Sequence, residues 1–124
     1  LAQKALNDPD PEERASAVEE LWQSEDQRQA VAILLKILHN DREGDVRRAA
    51  LDGLEEMAGL AFDTLAKVVL NDPDPSLRVR AVELIGQRGE RGRKLVDFLK
   101  RVVKTDKDED VRQAAMELLE EMNP

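Results

Sequence analysis

The sequence predicts an all-α protein, a stack of about four helical hairpins forming an α-α superhelix. Two observations carry the prediction. Four segments align without gaps around an Asp and an Arg six residues later: Asp8-Pro-Asp-Pro-Glu-Glu-Arg14, Asp41-Arg-Glu-Gly-Asp-Val-Arg47, Asp72-Pro-Asp-Pro-Ser-Leu-Arg78 and Asp106-Lys-Asp-Glu-Asp-Val-Arg112. The arginines recur at intervals of 33, 31 and 34 residues, a period that marks stacked supersecondary units. Apolar residues around each segment follow helical spacing, and no stretch alternates with period two for long enough to form a strand.

Each unit reads as two helices. After each Arg an Ala recurs at positions 17, 50, 81 and 115, followed by Val18, Leu51, Val82 and Met116, and three residues later by Leu21, Leu54, Ile85 and Leu119. One residue before the Arg stand Glu13, Val46, Leu77 and Val111. These spacings place one apolar stripe on the second helix of each unit. In the first unit, positions 13, 17, 21 and 24 centre on the core. Upstream of each Asp, Leu1, Leu34, Leu65 and Leu99 align, as do Ala5, Leu38, Val69 and Val103, which marks the first helices. The Asp-Pro-Asp-Pro segments suit a helix start, because Asp accepts from the free N–H groups and Pro fits the first turn. Helices are therefore expected near 1–6, 11–23, 27–39, 45–57, 60–71, 75–87, 91–104 and 109–122. Gly59, Gly86, Gly89 and Gly92 fall at or near their ends, where glycine supplies left-handed caps and close approach. The chain reads as one domain over 1–124, with repeats of approximately 1–24, 25–58, 59–88 and 89–124. It begins with Leu and a short first helix, so an excised or processed piece is expected.

Composition removes several functions. The formal charge of −8 argues against a general nucleic-acid binder, because phosphate attraction drives such binding. No apolar run approaches the length of about 18 residues needed to span a bilayer. Without Cys there is no disulfide, thiol nucleophile or thiolate metal site. His39 is the single histidine and sits near a helix end, where a structural role suits it. Gly86, Gly89 and Gly92 lack the setting of a phosphate loop. Asp106, Asp108, Asp110 and Glu117 occupy positions of a calcium loop, but Val111 stands where that loop turns on Gly, and the repeat register makes the segment helical. No catalytic residue, metal or cofactor is expected.

The run Asn71-Asp-Pro-Asp-Pro-Ser-Leu-Arg-Val-Arg-Ala-Val-Glu-Leu-Ile-Gly86 resembles the HEAT-like repeats of the phycobilisome-lyase type. The second and fourth units share the pattern; the first departs from it at Glu13 and Trp22. The resemblance implies a right-handed solenoid with the second helices lining its concave side. It also implies a ladder between adjacent repeats formed by Asp8, Asp41, Asp72 and Asp106 with Arg14, Arg47, Arg78 and Arg112.

Five residues after each Arg comes an acid: Glu19, Asp52, Glu83 and Glu117. Glu55, Glu56, Glu120 and Glu121 extend the acidic strip, and Arg48 and Arg80 cross it. The first helices lean the other way, and the window 90–104 carries six cations and two anions. Two readings of the acidic column stay open, a solvated face and a groove for a basic protein or peptide. The docking residues would be Glu19, Asp52, Glu55, Glu83, Glu117 and Glu120. Trp22 is either an apolar anchor or a space-filler. The expected function is a non-catalytic protein-interaction scaffold without nucleic acid or membrane span. The alternative that the resemblance carries is a bilin-lyase-like chromophore-handling subunit, which needs a large apolar pocket. HEAT-like DNA glycosylases need a basic concave face, opposite in sign to the acidic one expected here. Compartment, with the cytoplasm favoured, and oligomeric state stay open.

Overall fold

A computed structural model describes residues 1–23, 26–57 and 59–122. Among these residues eight helices follow in order: α1 (Ala2–Asn7), α2 (Pro11–Leu21), α3 (Gln27–Asn40), α4 (Gly44–Glu56), α5 (Phe62–Asn71), α6 (Pro75–Gln87), α7 (Arg93–Thr105) and α8 (Glu109–Met122). There is no strand among the described residues. Position 24 of the expected core stripe and the expected repeat limits at 24, 25 and 58 lie outside the described residues.

The sequence explains where the helices start. Asp10, Asp74 and Asp108 each accept from the backbone N–H two residues on: Glu12, Ser76 and Asp110. Pro11 and Pro75 then occupy the first turn, where a missing N–H costs little. Three ends differ from the expected ones by two residues. α2 stops at Leu21, with Trp22 as its C-cap; α5 starts at Phe62, after an extended Ala61; and α7 starts at Arg93 because Gly92 is extended there, at φ −168°. Among the described glycines only Gly89 has a left-handed backbone, at φ 77°. Gly86 lies inside α6, where it serves close approach rather than a cap.

The helices divide into two compact units, residues 1–60 and 61–124. In unit 1, α1 packs on α2, α3 on α4, and α2 on α4. In unit 2, α5 packs on α6, α7 on α8, and α6 on α8. Consecutive helices thus pair as hairpins, and within each unit the second helices of the two hairpins meet. The Ala column at 17, 50, 81 and 115 is fully buried in both units. Small side chains there let helix backbones approach, and Leu34, Leu54, Leu65 and Ile85 fill the layer beside them. Three positions of the expected core depart: Glu13, which is exposed and pairs with Lys4 at 2.7 Å because a carboxylate keeps to water, Met116 and Leu1. Met116 is 41% exposed, whereas Val18, Leu51 and Val82 are buried. α8 packs on α6 and α7 through Val111, Ala115 and Leu118, and Met116 points away from both. Leu1 is 53% exposed at the start of the short α1.

Candidate functional site

The repeated Asp and Arg organise the turn inside each hairpin. Asp8, Asp41, Asp72 and Asp106 each accept, through Oδ1, the backbone N–H two residues on, at 2.9 Å in every case. The Arg six residues later folds back and donates Nη1 to the carbonyl of that same Asp: Arg14 to Asp8, Arg47 to Asp41, Arg78 to Asp72 and Arg112 to Asp106, at 2.7–2.9 Å. Spacing and local geometry agree, since six residues span the turn and one helical turn beyond it.

The same arginines reach across hairpins. Arg14 donates Nε and Nη2 to the two oxygens of Asp41, at 2.9 and 3.0 Å. Arg78 does the same to Asp106, at 3.1 and 3.2 Å. Each guanidinium therefore bonds two turns at once, its own through a carbonyl and the next through a carboxylate. The planar fork matches a carboxylate in this bidentate form, which Lys cannot do. The Arg14 and Asp41 side chains are 5% and 6% exposed. Hydrogen bonding to Asp41 raises the Arg14 guanidinium further above its already high ordinary value. A cation with a raised value stabilises the fold at all pH below its unfolded value, so this contribution is complete throughout the neutral range. Arg47 and Asp72 are buried.

The carboxylates of the calcium-like run have the same occupation. Asp106 accepts from Asp108 N–H and Arg78, and Asp108 accepts from the N–H groups of Asp110 and Val111. Among the described residues no cluster of acids or histidine is placed to hold a metal ion.

The acidic column sits on the second helices. Glu19 and Asp52 are exposed in unit 1, with Glu55 half-buried and Glu56 exposed. In unit 2, Glu83, Glu117, Glu120 and Glu121 are all exposed. Between α6 and α8 lies an open groove of about 340 Å³. Glu83, Glu117 and Glu121 line it, together with Val82, Gly86 and Leu118. Glu120 is turned out of it. Trp22 is half-buried: a Cβ built on Gly53 would stand 2.8 Å from its Cδ1, so the indole covers Gly53 of α4.

Two features were not anticipated. The contact of Trp22 with Gly53 has a counterpart in unit 2, where a Cβ on Gly86 would meet Leu118 Cδ1 at 3.2 Å. In both units the residue eight after one Arg meets the residue six after the next. Comparing those two columns for opposite sizes would have revealed the contact. The second feature is an aromatic pair, Phe62 and Phe98, edge-to-face with centroids 5.5 Å apart and Lys94 5.2 Å above the Phe62 ring. These rings lie 36 positions apart, outside any local pattern. The cation-rich window 90–104 of the sequence lies largely on α7, where Arg93, Lys94, Lys100, Arg101 and Lys104 are exposed.

Among the described residues, no helix is long and apolar enough to cross a membrane. A family model described as HEAT repeats matches residues 1–65 and again residues 62–124. The match concerns HEAT repeats as a class and does not extend to the phycobilisome-lyase type. No curated protein and no solved structure matches the chain.

Proposed function

Because the chain belongs to the HEAT-repeat family, whose members are typically non-enzymatic scaffolds for protein–protein interaction, we propose that it docks a basic partner on the acidic faces of its second helices. One observation carries this reading, the α6–α8 groove. Three carboxylates, those of Glu83, Glu117 and Glu121, stand over a floor formed by Val82 and Leu118. A Lys or Arg side chain has the matching form, an aliphatic stem for the floor and a cationic head for the rim. In unit 1, Glu19 and Asp52 occupy the corresponding register on α2 and α4. Charges of one sign along a groove steer an oppositely charged partner, and the effect fades as salt screens it.

The test uses a fluorescent Lys/Arg-rich peptide and anisotropy at low and high salt. Wild-type protein is compared with Glu83→Lys/Glu117→Lys, and with Glu109→Lys/Asp110→Lys as a control of equal net charge away from the groove. The reading expects binding that weakens with salt, is lost in the groove variant and persists in the control. Equal loss in both variants would reduce the acidic column to a solvated surface.

A further inference from the structure

Unit 2 carries a second groove, along its first helices. α5 and α7 run side by side in the same direction. At one end Phe62 meets Phe98, and Lys94 stands above the Phe62 ring and faces Asp63; at the other Leu70 shares a hollow with Val102. Each end is an open hollow with apolar lining. The first, of about 300 Å³, is lined by Phe62 and Leu95, with Arg91 and Lys94 at its edge. The second, of about 240 Å³, is lined by Leu70 and Val102, with Thr105 and Lys107 at its edge. Leu70 is 42% exposed, whereas Val68 and Val69 beside it are buried. The acids that reach the hollows are already engaged, Glu90 by Arg88, Asp106 by Arg78 and Asp72 by the Asp74 N–H. The exposed charged residues of α5 and α7 are six cations and two anions, Asp63 and Asp97, in a chain of net charge −8. Among the described residues no carboxylate pairs with Lys67, Arg101, Lys104 or Lys107.

We propose that the α5–α7 groove takes an amphipathic acidic helix of a partner protein. Apolar side chains of that helix, seven residues apart, enter the two hollows, and carboxylates between them meet Lys67 and Arg101. Spacing argues for a helix. Phe62 and Leu70 are eight residues apart on α5, and Leu95 and Val102 seven apart on α7. At a rise of about 1.5 Å per residue the hollows lie roughly 10–12 Å apart. A helix returns to the same face after seven residues and about 10.5 Å. An extended chain covers that distance in about three residues, an odd number, which turns its second side chain away. Charge complementarity argues for acid, because the free cations border both hollows and the rise between them. Nucleic acid matches less well. Asp63 and Asp97 stand among the cations and repel phosphate, and a phosphate backbone offers no aliphatic side chain for Leu70. This groove is distinct from the α6–α8 groove, whose rim is acidic.

Fluorescence anisotropy of the 124-residue chain with a labelled helical peptide tests the proposal. The peptide carries leucines seven residues apart and glutamates on the same face. A second peptide of the same composition has its leucines on opposite faces. Binding of the first peptide that weakens with salt is expected. Lys67→Glu/Arg101→Glu should weaken it about tenfold or more, and Leu70→Ser about fivefold or more. Arg28→Glu/Arg42→Glu, an equal charge change at exposed positions of unit 1, should alter it by less than about twofold. Lys67, Leu70 and Arg101 are exposed, and circular dichroism checks that helicity is retained. Equal binding of the second peptide, or of a single-stranded oligonucleotide, would mark a general polyanion surface and overturn the proposal. No binding up to millimolar peptide would overturn it too, as would equal losses in the two charge-reversal variants. Self-association in sedimentation that Lys67→Glu/Arg101→Glu abolishes would give the groove to a second copy and likewise overturn it.

Discussion

In unit 1 the second helices meet where Trp22 covers Gly53; in unit 2 the same register pairs Gly86 with Leu118. The large residue sits on the earlier helix in one unit and on the later helix in the other. What the two units share is one large and one small partner across the contact and the clasp beside it, Arg14 with Asp41 and Arg78 with Asp106. The clasp sets how the hairpins align, and the contact needs only one bulky and one small partner to fill the space between them. The units also differ in charge. Unit 1 has seven Lys and Arg against fourteen Asp and Glu, whereas unit 2 has twelve against thirteen. Their acidic columns are alike, and the difference comes largely from the cations around α7.

The largest effect is expected at the clasps. Asp41→Ala leaves Arg14 charged in a nearly closed site and should cost about 3–5 kcal/mol in urea unfolding. Asp106→Ala should cost less, because Arg78 and Asp106 are 14% and 9% exposed and water can replace part of the lost bond. Equal costs would mean that the clasps do not differ in burial. Leu54→Ala, at a fully buried position, should cost about 2–5 kcal/mol by the same measurement. A cost near zero would refute the register of the unit 1 core.

The glycine contacts separate the units by sign. Ala is favoured over Gly in a helix by up to about 1 kcal/mol. At Gly53 the added methyl meets a rigid indole at 2.8 Å, so Gly53→Ala should destabilise by about 1–3 kcal/mol. At Gly86 it meets the tip of the Leu118 side chain at 3.2 Å, which can move aside, so Gly86→Ala should stabilise by roughly 0.5 kcal/mol. The pair Trp22→Gly/Gly53→Leu writes the unit 2 arrangement into unit 1. It should recover part of the loss of Gly53→Leu alone, a coupling of about 0.5–3 kcal/mol in a double-mutant cycle. Strict additivity would show that the sizes are unrelated. The smallest effect is expected on the acidic column, where Glu83→Lys/Glu117→Lys should shift stability within about 0.5 kcal/mol per site.

The hairpins were legible because their signals are local. Asp10, Asp74 and Asp108 cap helices from two residues away, and Arg folds back over six residues. The apolar stripe failed at Met116, because a stripe records which residues can be buried and not whether a neighbour covers them. Trp22 kept two readings for the same reason: its partner Gly53 lies 31 positions on, and a glycine shows no preference for a particular neighbour.

The amino-acid order alone determined the all-α class, the repeat period, the helix starts and the acidity of the column after each Arg. Each is a matter of residue type and spacing along the chain, which can be read without knowing any distant neighbour. Only the tertiary structure decided which carboxylate each arginine clasps, which glycine each large side chain covers, which carboxylates share the α6–α8 groove and which stripe of α8 faces outward. Those outcomes depend on how one hairpin lies on the next, and that is set by packing between residues about 30 positions apart.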